Sequence, residues 1–289
     1  MNPDWLIPNW PAPPHVKAVF TSRGIAQTGF ETGKVSKSGR NGYSGASQPP
    51  FEAFNLGDHV GDDPNHVMAN RHMLQVLLSV KPIYLKQVHG TEVVTLTPKT
   101  PHGTVADVCI TTEKKLACTI MVADCLPVFF TDVEGNFVAA AHAGWRGLAG
   151  GVLRQNLESI HALAGVNIAY TASKIIAYLG PCIGPNAFEV GDEVKAVFEA
   201  SLPNSASYFI AIGDSDSDSD SDSGKYLADL AGLARLQLKQ LGLAEDQIFG
   251  NDSSTDWCTV NNPLRFFSHR RDAVKLGSSG RMAGCIWLE

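Results

Sequence analysis

Apolar positions along the chain fall into short runs closed by Gly, Pro, Asn or Asp, the pattern of β-strands bounded by turns. They predict strands over residues 16–22, 83–88, 92–96, 106–112, 117–122, 128–131, 137–142, 175–179, 264–268 and 282–288. Glu134-Gly135-Asn136 reads as a tight hairpin between two of them. Four stretches change period. After Asp63, an N-cap followed by Pro64 at the first helical position, Val67, Leu74, Leu77 and Leu78 share one helical face. Residues 148–163 and 190–200 read as further helices. Over 226–241, Leu227, Leu230, Ala231, Ala234, Leu238 and Leu241 keep a spacing of three and four. Strands and helices are mixed rather than strictly alternating, which predicts an α+β fold over a doubly wound sheet.

Three stretches lack such patterning. Residues 1–15 are rich in Pro and Trp and read as an extended segment pinned by its indoles. Residues 23–50 are rich in Gly, Ser and Lys and read as a long, mobile surface loop. Residues 214–223 alternate Asp and Ser, so within 213–224 the expectation is a self-repelling, solvated insertion rather than a calcium loop.

The 289 residues suffice for a sizeable core, and 44% hydrophobic with 18% charged residues is an ordinary globular balance. The net charge of −6 comes mainly from the Asp/Ser tract; without its five aspartates, 24 acids face 23 bases. No basic field suggests nucleic acid, and no apolar run suggests a membrane span. The start carries an acid and prolines, so no signal peptide is expected. The six cysteines lack any C-x-x-C pair, so they are expected to be reduced, in a cytoplasmic setting.

Candidate chemistry concentrates at strand ends. His142 closes the small apolar run Ala139-Ala140-Ala141 and leads into Ala143-Gly144-Trp145-Arg146-Gly147. Cys125 lies in Ala123-Asp124-Cys125-Leu126-Pro127, and His89 in Gln87-Val88-His89-Gly90. Two imidazoles and a thiol match a catalytic zinc site that keeps one position open. Copper also accepts His₂Cys, but none of the candidate axial methionines (Met68, Met73, Met121, Met282) sits on a turn beside these residues. Cys125 with His142 also fits a nucleophile–base pair. Arg146 suits a bidentate anion contact or a structural ion pair. His269-Arg270-Arg271-Asp272 reads as a short polar loop, either lining a pocket or forming a surface salt-bridge turn. Asp124 suits a proton acceptor or a turn cap, and Asn55 a ligand contact or a turn filler. From residue types alone these alternatives stay open.

Taken together, the motifs resemble the YfiH-type family, also described as laccase-domain or multicopper-polyphenol-oxidoreductase-like. The match is carried by Phe54-Asn55-Leu56-Gly57 with Gly61-Asp62-Asp63, Lys86-Gln87-Val88-His89-Gly90, Ala123-Asp124-Cys125-Leu126-Pro127-Val128 and Ala140-Ala141-His142-Ala143-Gly144-Trp145-Arg146-Gly147. It continues through Leu179-Gly180-Pro181-Cys182-Ile183-Gly184-Pro185, Phe188-Glu189-Val190-Gly191, Phe266-Phe267-Ser268-His269-Arg270-Arg271-Asp272 and Gly280-Arg281-Met282-Ala283-Gly284. The resemblance implies one domain over residues 1–289, an α/β/β/α sandwich with mixed sheets, and one zinc held by His89, Cys125 and His142. It implies phosphorolysis of adenosine, inosine, guanosine or methylthioadenosine, with accompanying adenosine deamination. Arg146 would join the catalytic set, and Asn55, Arg146, His269 and Arg270 would contact substrate. The family's alternative descriptions are a copper-dependent polyphenol oxidase (laccase) and a peptidoglycan-editing hydrolase. A monomer acting on small molecules is expected.

Overall fold

The computed structural model describes residues 4–24, 45–164, 172–212 and 224–289. The expected 23–50 loop lies largely, and the Asp/Ser tract wholly, outside the described residues. A four-stranded sheet has the order β1 (Val16–Phe20), β13 (Met282–Leu288), β5 (Leu116–Val122), β2 (Lys81–Tyr84). A six-stranded sheet runs β12 (Ile248–Gly250), β8 (Ile175–Leu179), β6 (Leu126–Asp132), β7 (Val138–Ala143), β4 (Val108–Thr111), β3 (Val93–Thr95). Both are mixed: β2–β5, β3–β4 and β12–β8 are parallel, and the other pairs antiparallel. A small antiparallel sheet joins β10 (Phe209–Ala211), β11 (Lys225–Ala228) and β9 (Glu189–Gly191).

The period-2 alternation of strands buried on both faces sorts their side chains into three cores. From β5, Leu116, Cys118, Ile120 and Val122 enter the space between the large sheets, while Ala117 and Met121 face α1 (Pro64–Leu78). From β7, Val138 and Ala140 point between the sheets, while Ala139, Ala141 and Ala143 face the outer helices. These are α2 (Trp145–Ala149), α3 (Val152–Ala164), α4 (Asp192–Ser201) and α5 (Leu230–Gln240). The layers are therefore helix, four-stranded sheet, six-stranded sheet, helices, the expected α/β/β/α sandwich. Phe20 stacks on Phe129 across the sheets at 4.4 Å, and a Cβ on Gly284 would lie 2.9 Å from both rings. All six cysteines are free, and among the described residues no helix is long and apolar enough to cross a membrane.

Several element boundaries differ from the sequence reading. Asp63 does cap α1, accepting from the Asn65 N–H at 2.8 Å, and the 134–136 turn does join β6 to β7. The expected 148–163 helix is instead two, α2 and α3, because Gly150 ends the first and Gly151 takes φ +89° between them. The 226–241 helix begins only at Leu230. Tyr226 and Leu227 belong to β11, and Asp229 caps α5 through the Gly232 N–H. Residues 264–268 form no strand, and 269–272, read as a loop, open α6 (His269–Leu276). Ser268 caps α6 by accepting from the Arg271 N–H, and the Arg271 guanidinium takes the carbonyls of Thr259, Val260 and Phe266. Phe266 and Phe267 are thus buried by a side-chain clamp in place of a ladder.

A candidate metal centre in a cationic cavity

β7 carries His142 one position before its end, on the same side as Val138 and Ala140, so the imidazole lies at one edge of the inter-sheet space. Cys125 immediately precedes β6, and His89 sits on the segment that follows β2. The antiparallel β6–β7 register pairs Leu126 with Ala143 and brings Cys125 level with the His142 turn. One donor atom from each of His89, Cys125 and His142 falls within 4.8 Å of the other two. The backbone is shaped to allow this: His89 has φ +62° and Asp124 φ +88°, a left-handed conformation that non-glycine residues adopt sparingly. Gly144 is required by contact, since a Cβ there would lie 2.9 Å from Cys125 Sγ and 3.1 Å from His89 Cδ2.

Asp107 organises the three and has no counterpart among the candidates drawn from the sequence. Its carboxylate is fully buried and accepts from the backbone N–H groups of Val88, His89 and Gly90 at 2.8–3.1 Å. It also accepts from His142 Nδ1 at 2.8 Å. That bond holds a proton on Nδ1 and turns Nε2 toward the shared point, where a bound metal would take the place of the second proton, the carboxylate–histidine arrangement that supports metal ligands. The only sequence signal for Asp107 is a lone acid at the head of an apolar strand. Burial raises the Cys125 thiol pKa, but His142 and then His89 outweigh it and bring it down to about 6. Burial likewise lowers His142, while Cys125 and Asp107 overcome this and raise it to about 9. The thiol is held as a thiolate, the form that binds metals.

The donor types are ones that zinc accepts, and the three donor atoms lie within 4.8 Å of one another. Bonds of about 2.0–2.3 Å in a tetrahedron place donors roughly 3.4–3.8 Å apart. His89 Nε2 and Cys125 Sγ are 3.7 Å apart. Three protein donors leave a fourth position open. Met121 offers no axial thioether for copper, because its sulfur is taken by Arg71 Nη2 at 3.7 Å toward α1.

The three donors open into a cavity of about 370 Å³, within the usual size for small-molecule sites. Trp145, Ile183, Phe188 and Leu230 supply apolar wall, and Arg146, Arg270, Arg281, His59 and His269 supply polar wall. Arg146 is exposed and its guanidinium lies over the Trp145 ring at 4.3 Å. Arg270 lies over Phe188 and donates to the Glu189 carbonyl at 3.0 Å. His269, at the start of α6, is exposed. Asp124 is the one acid in the wall, and both its oxygens are engaged, by the Thr259 hydroxyl and the Arg270 N–H. It ties the α6 N-terminus to the Cys125 turn, the capping alternative raised above. Asn55 lies outside the cavity wall, fully buried, with its amide bonded to Gly57, Asp62 and the Arg281 N–H. Arg281 and Gln87, which brackets the Met121 backbone with two 2.8 Å bonds, were also absent from the sequence-derived set.

A sandwich of mixed sheets with a His-Cys-His cluster at the ends of its central strands defines the class. Residues 36–289 match the family model described as multi-copper polyphenol oxidoreductase laccase, and the chain belongs to that family. It is 39% identical over 285 residues to the purine nucleoside phosphorylase YfiH of Escherichia coli strain K12, covering 98% of each chain. A purine nucleoside phosphorylase of Pseudomonas aeruginosa is 38% identical over 285 residues, covering 99% of this chain and 98% of the relative. The crystal structure of a Neisseria meningitidis protein of the DUF152 family superposes with a TM-score of 0.78, at 40% identity and 99% coverage of both chains.

Proposed function

We propose that the chain is a metal-dependent purine nucleoside phosphorylase, with zinc held by His89, Cys125 and His142. The observation that carries this reading is the confluence, in one cavity, of three metal donors, an aromatic wall and three arginines without a carboxylate partner among the described residues. The names of the two relatives point the same way. A single donor cluster among the described residues supports one ion over several.

In phosphorolysis an oxygen of inorganic phosphate forms a bond to C1′ of the nucleoside as the C1′–N9 bond breaks. The electron pair leaves with the purine, which takes up a proton, giving free base and ribose 1-phosphate. The chain must then hold an oxyanion beneath a sugar carbon that becomes cationic, and seat a flat purine away from water. The arginines meet the first demand through charge-assisted, bidentate bonds. Phe188, Trp145, Ile183 and Leu230 meet the second by apolar contact. Asp107 keeps His142 in the tautomer that faces the site. When bound, zinc supplies Lewis acidity and lowers the pKa of water toward neutrality. Adenosine deamination, in which water would add at purine C6 and ammonia leave, would draw on the same chemistry at the site held by His89, Cys125 and His142.

The test is metal analysis of untagged protein alongside an inosine-plus-phosphate assay. Hypoxanthine release that requires both phosphate and bound zinc is the expected result. Release without phosphate, or turnover by metal-free protein, would exclude the mechanism. Copper on purification with oxygen uptake on phenols would favour the polyphenol oxidase alternative. Turnover of muropeptides blocked by thiol alkylation would favour the hydrolase.

A further inference from the structure

Three arginines border the cavity, and their surroundings differ in a way that separates their roles. Arg146 is exposed and already stacked on an indole. Arg270 is committed at Nη2 to the Glu189 carbonyl, and its backbone N–H is spent on Asp124. Arg281 is held from two sides while its charge is left uncompensated. Its N–H donates to Asn55 Oδ1 at 2.8 Å, and its carbonyl accepts from Leu56 N–H at 3.0 Å. Its Nη1 donates to the Ser279 and Gly280 carbonyls at 2.7 and 3.1 Å. Its aliphatic stem lies on Gly57, where a Cβ would sit 2.7 Å from Arg281 Cγ.

Among the described residues neither Nε nor Nη2 of Arg281 has a partner, neither is sealed from solvent, and no carboxylate lies within 4 Å of the guanidinium. The side chain is half-buried and borders the cavity beside Cys125 and Asp124, whose charges act on it. Asp124 forms no ion pair with it; its two oxygens accept from the Thr259 hydroxyl and the Arg270 N–H. A half-buried guanidinium with two free parallel donors and no carboxylate paired to it is matched by a tetrahedral oxyanion.

We infer that Arg281, clamped by Asn55 and Gly57, forms the subsite for inorganic phosphate, and that Arg146 is secondary to it. The assignment rests on the phosphorylase reading above and deepens it. It also accounts for Asn55: the residue acts through Arg281 as a positioning residue, with no contact to the ligand.

The experiment combines calorimetry of inorganic phosphate binding to the zinc-loaded protein with steady-state kinetics on inosine. Arg281→Ala should weaken phosphate binding and raise the phosphate KM by about tenfold to a hundredfold, the loss of a bidentate charged contact. The inosine KM and zinc content should stay within about twofold. Arg281→Lys should recover part of the loss, because a point charge replaces the fork. Gly57→Ala, which keeps the Arg281 charge but displaces its stem and so its fork, should shift the same phosphate KM. If Arg281→Ala and Gly57→Ala both leave phosphate binding within about twofold, or if Arg146→Ala weakens it more, the assignment is wrong. If the wild-type enzyme binds phosphate through Arg281 yet cleaves no nucleoside, the phosphorylase reading fails while the anion subsite stands.

Discussion

Replacing Asp107 by Asn tests how far the metal centre depends on a residue outside it. The carboxylate is fully buried and accepts four hydrogen bonds, from His89 N–H and His142 Nδ1 on one oxygen and from Val88 and Gly90 N–H on the other. The amide keeps the volume but turns one acceptor into a donor, so whichever oxygen it replaces, two donors face an NH₂ group. Each bond to a charged acceptor contributes roughly 1.5–3 kcal/mol, so the loss is about 3–6 kcal/mol before relaxation. The His142 proton is no longer fixed on Nδ1, and metal affinity should fall about tenfold to a hundredfold. Burial raises the Asp107 pKa, but the His142 bond and the backbone donors more than compensate and hold it below its ordinary value of 3.8. Its stabilisation is therefore present at neutral pH and is lost only as pH falls through the lowered folded-state value. The assays are urea unfolding of metal-free protein and zinc affinity by chelator competition, both near neutral pH. A variant within about 0.5 kcal/mol of wild type, with zinc affinity unchanged, would refute the reasoning.

Other outcomes follow from the same geometry. Gly144→Ala has an allowed backbone but places a methyl against Cys125 Sγ and His89 Cδ2, so zinc affinity should drop at least about tenfold with the fold intact by circular dichroism. Cys125→Ala should abolish metal binding and turnover together; turnover surviving without metal would separate the thiol from the metal. Zinc retention should weaken as pH falls, first as His142, raised to about 9, holds its proton against the metal and then more steeply as Cys125, lowered to about 6, takes one up; dialysis across a pH series reads this directly. Asn156, fully buried on α3 with no partner for either amide atom among the described residues, should yield a protein about 1–3 kcal/mol more stable when replaced by Leu, measured by denaturant unfolding.

The strands and the donor triad were legible in the sequence because both leave local marks. Strands of this sandwich are short apolar runs ended by turn residues, and His89, Cys125 and His142 each stand beside such a turn. What was not legible depends on contacts distant in sequence. Leu227 continues the spacing of Leu230, Ala231 and Ala234, so the helical period overran the Asp229 cap; only pairing with β9 and β10 reveals a strand there. Phe266 and Phe267 look like a strand core, but the Phe266 carbonyl is taken by Arg271 and its N–H by the Asn262 carbonyl, with no ladder partner. Asp107 is one acid before an apolar run, and its meaning comes from the loop of Val88 to Gly90 folding over it. Arg281 stood in a recognised motif with no chemistry attached, because an uncompensated charge shows only when its neighbours are known.

The central claim is that one cavity couples a His-Cys-His metal site to phosphate-dependent cleavage of purine nucleosides. The most direct measurement is ribose 1-phosphate formed from inosine as a function of zinc occupancy and phosphate concentration in untagged protein. Product should rise in proportion to occupied His89–Cys125–His142 sites and saturate with phosphate. Product formation that ignores zinc occupancy, or hypoxanthine released at the same rate without phosphate, would contradict the account.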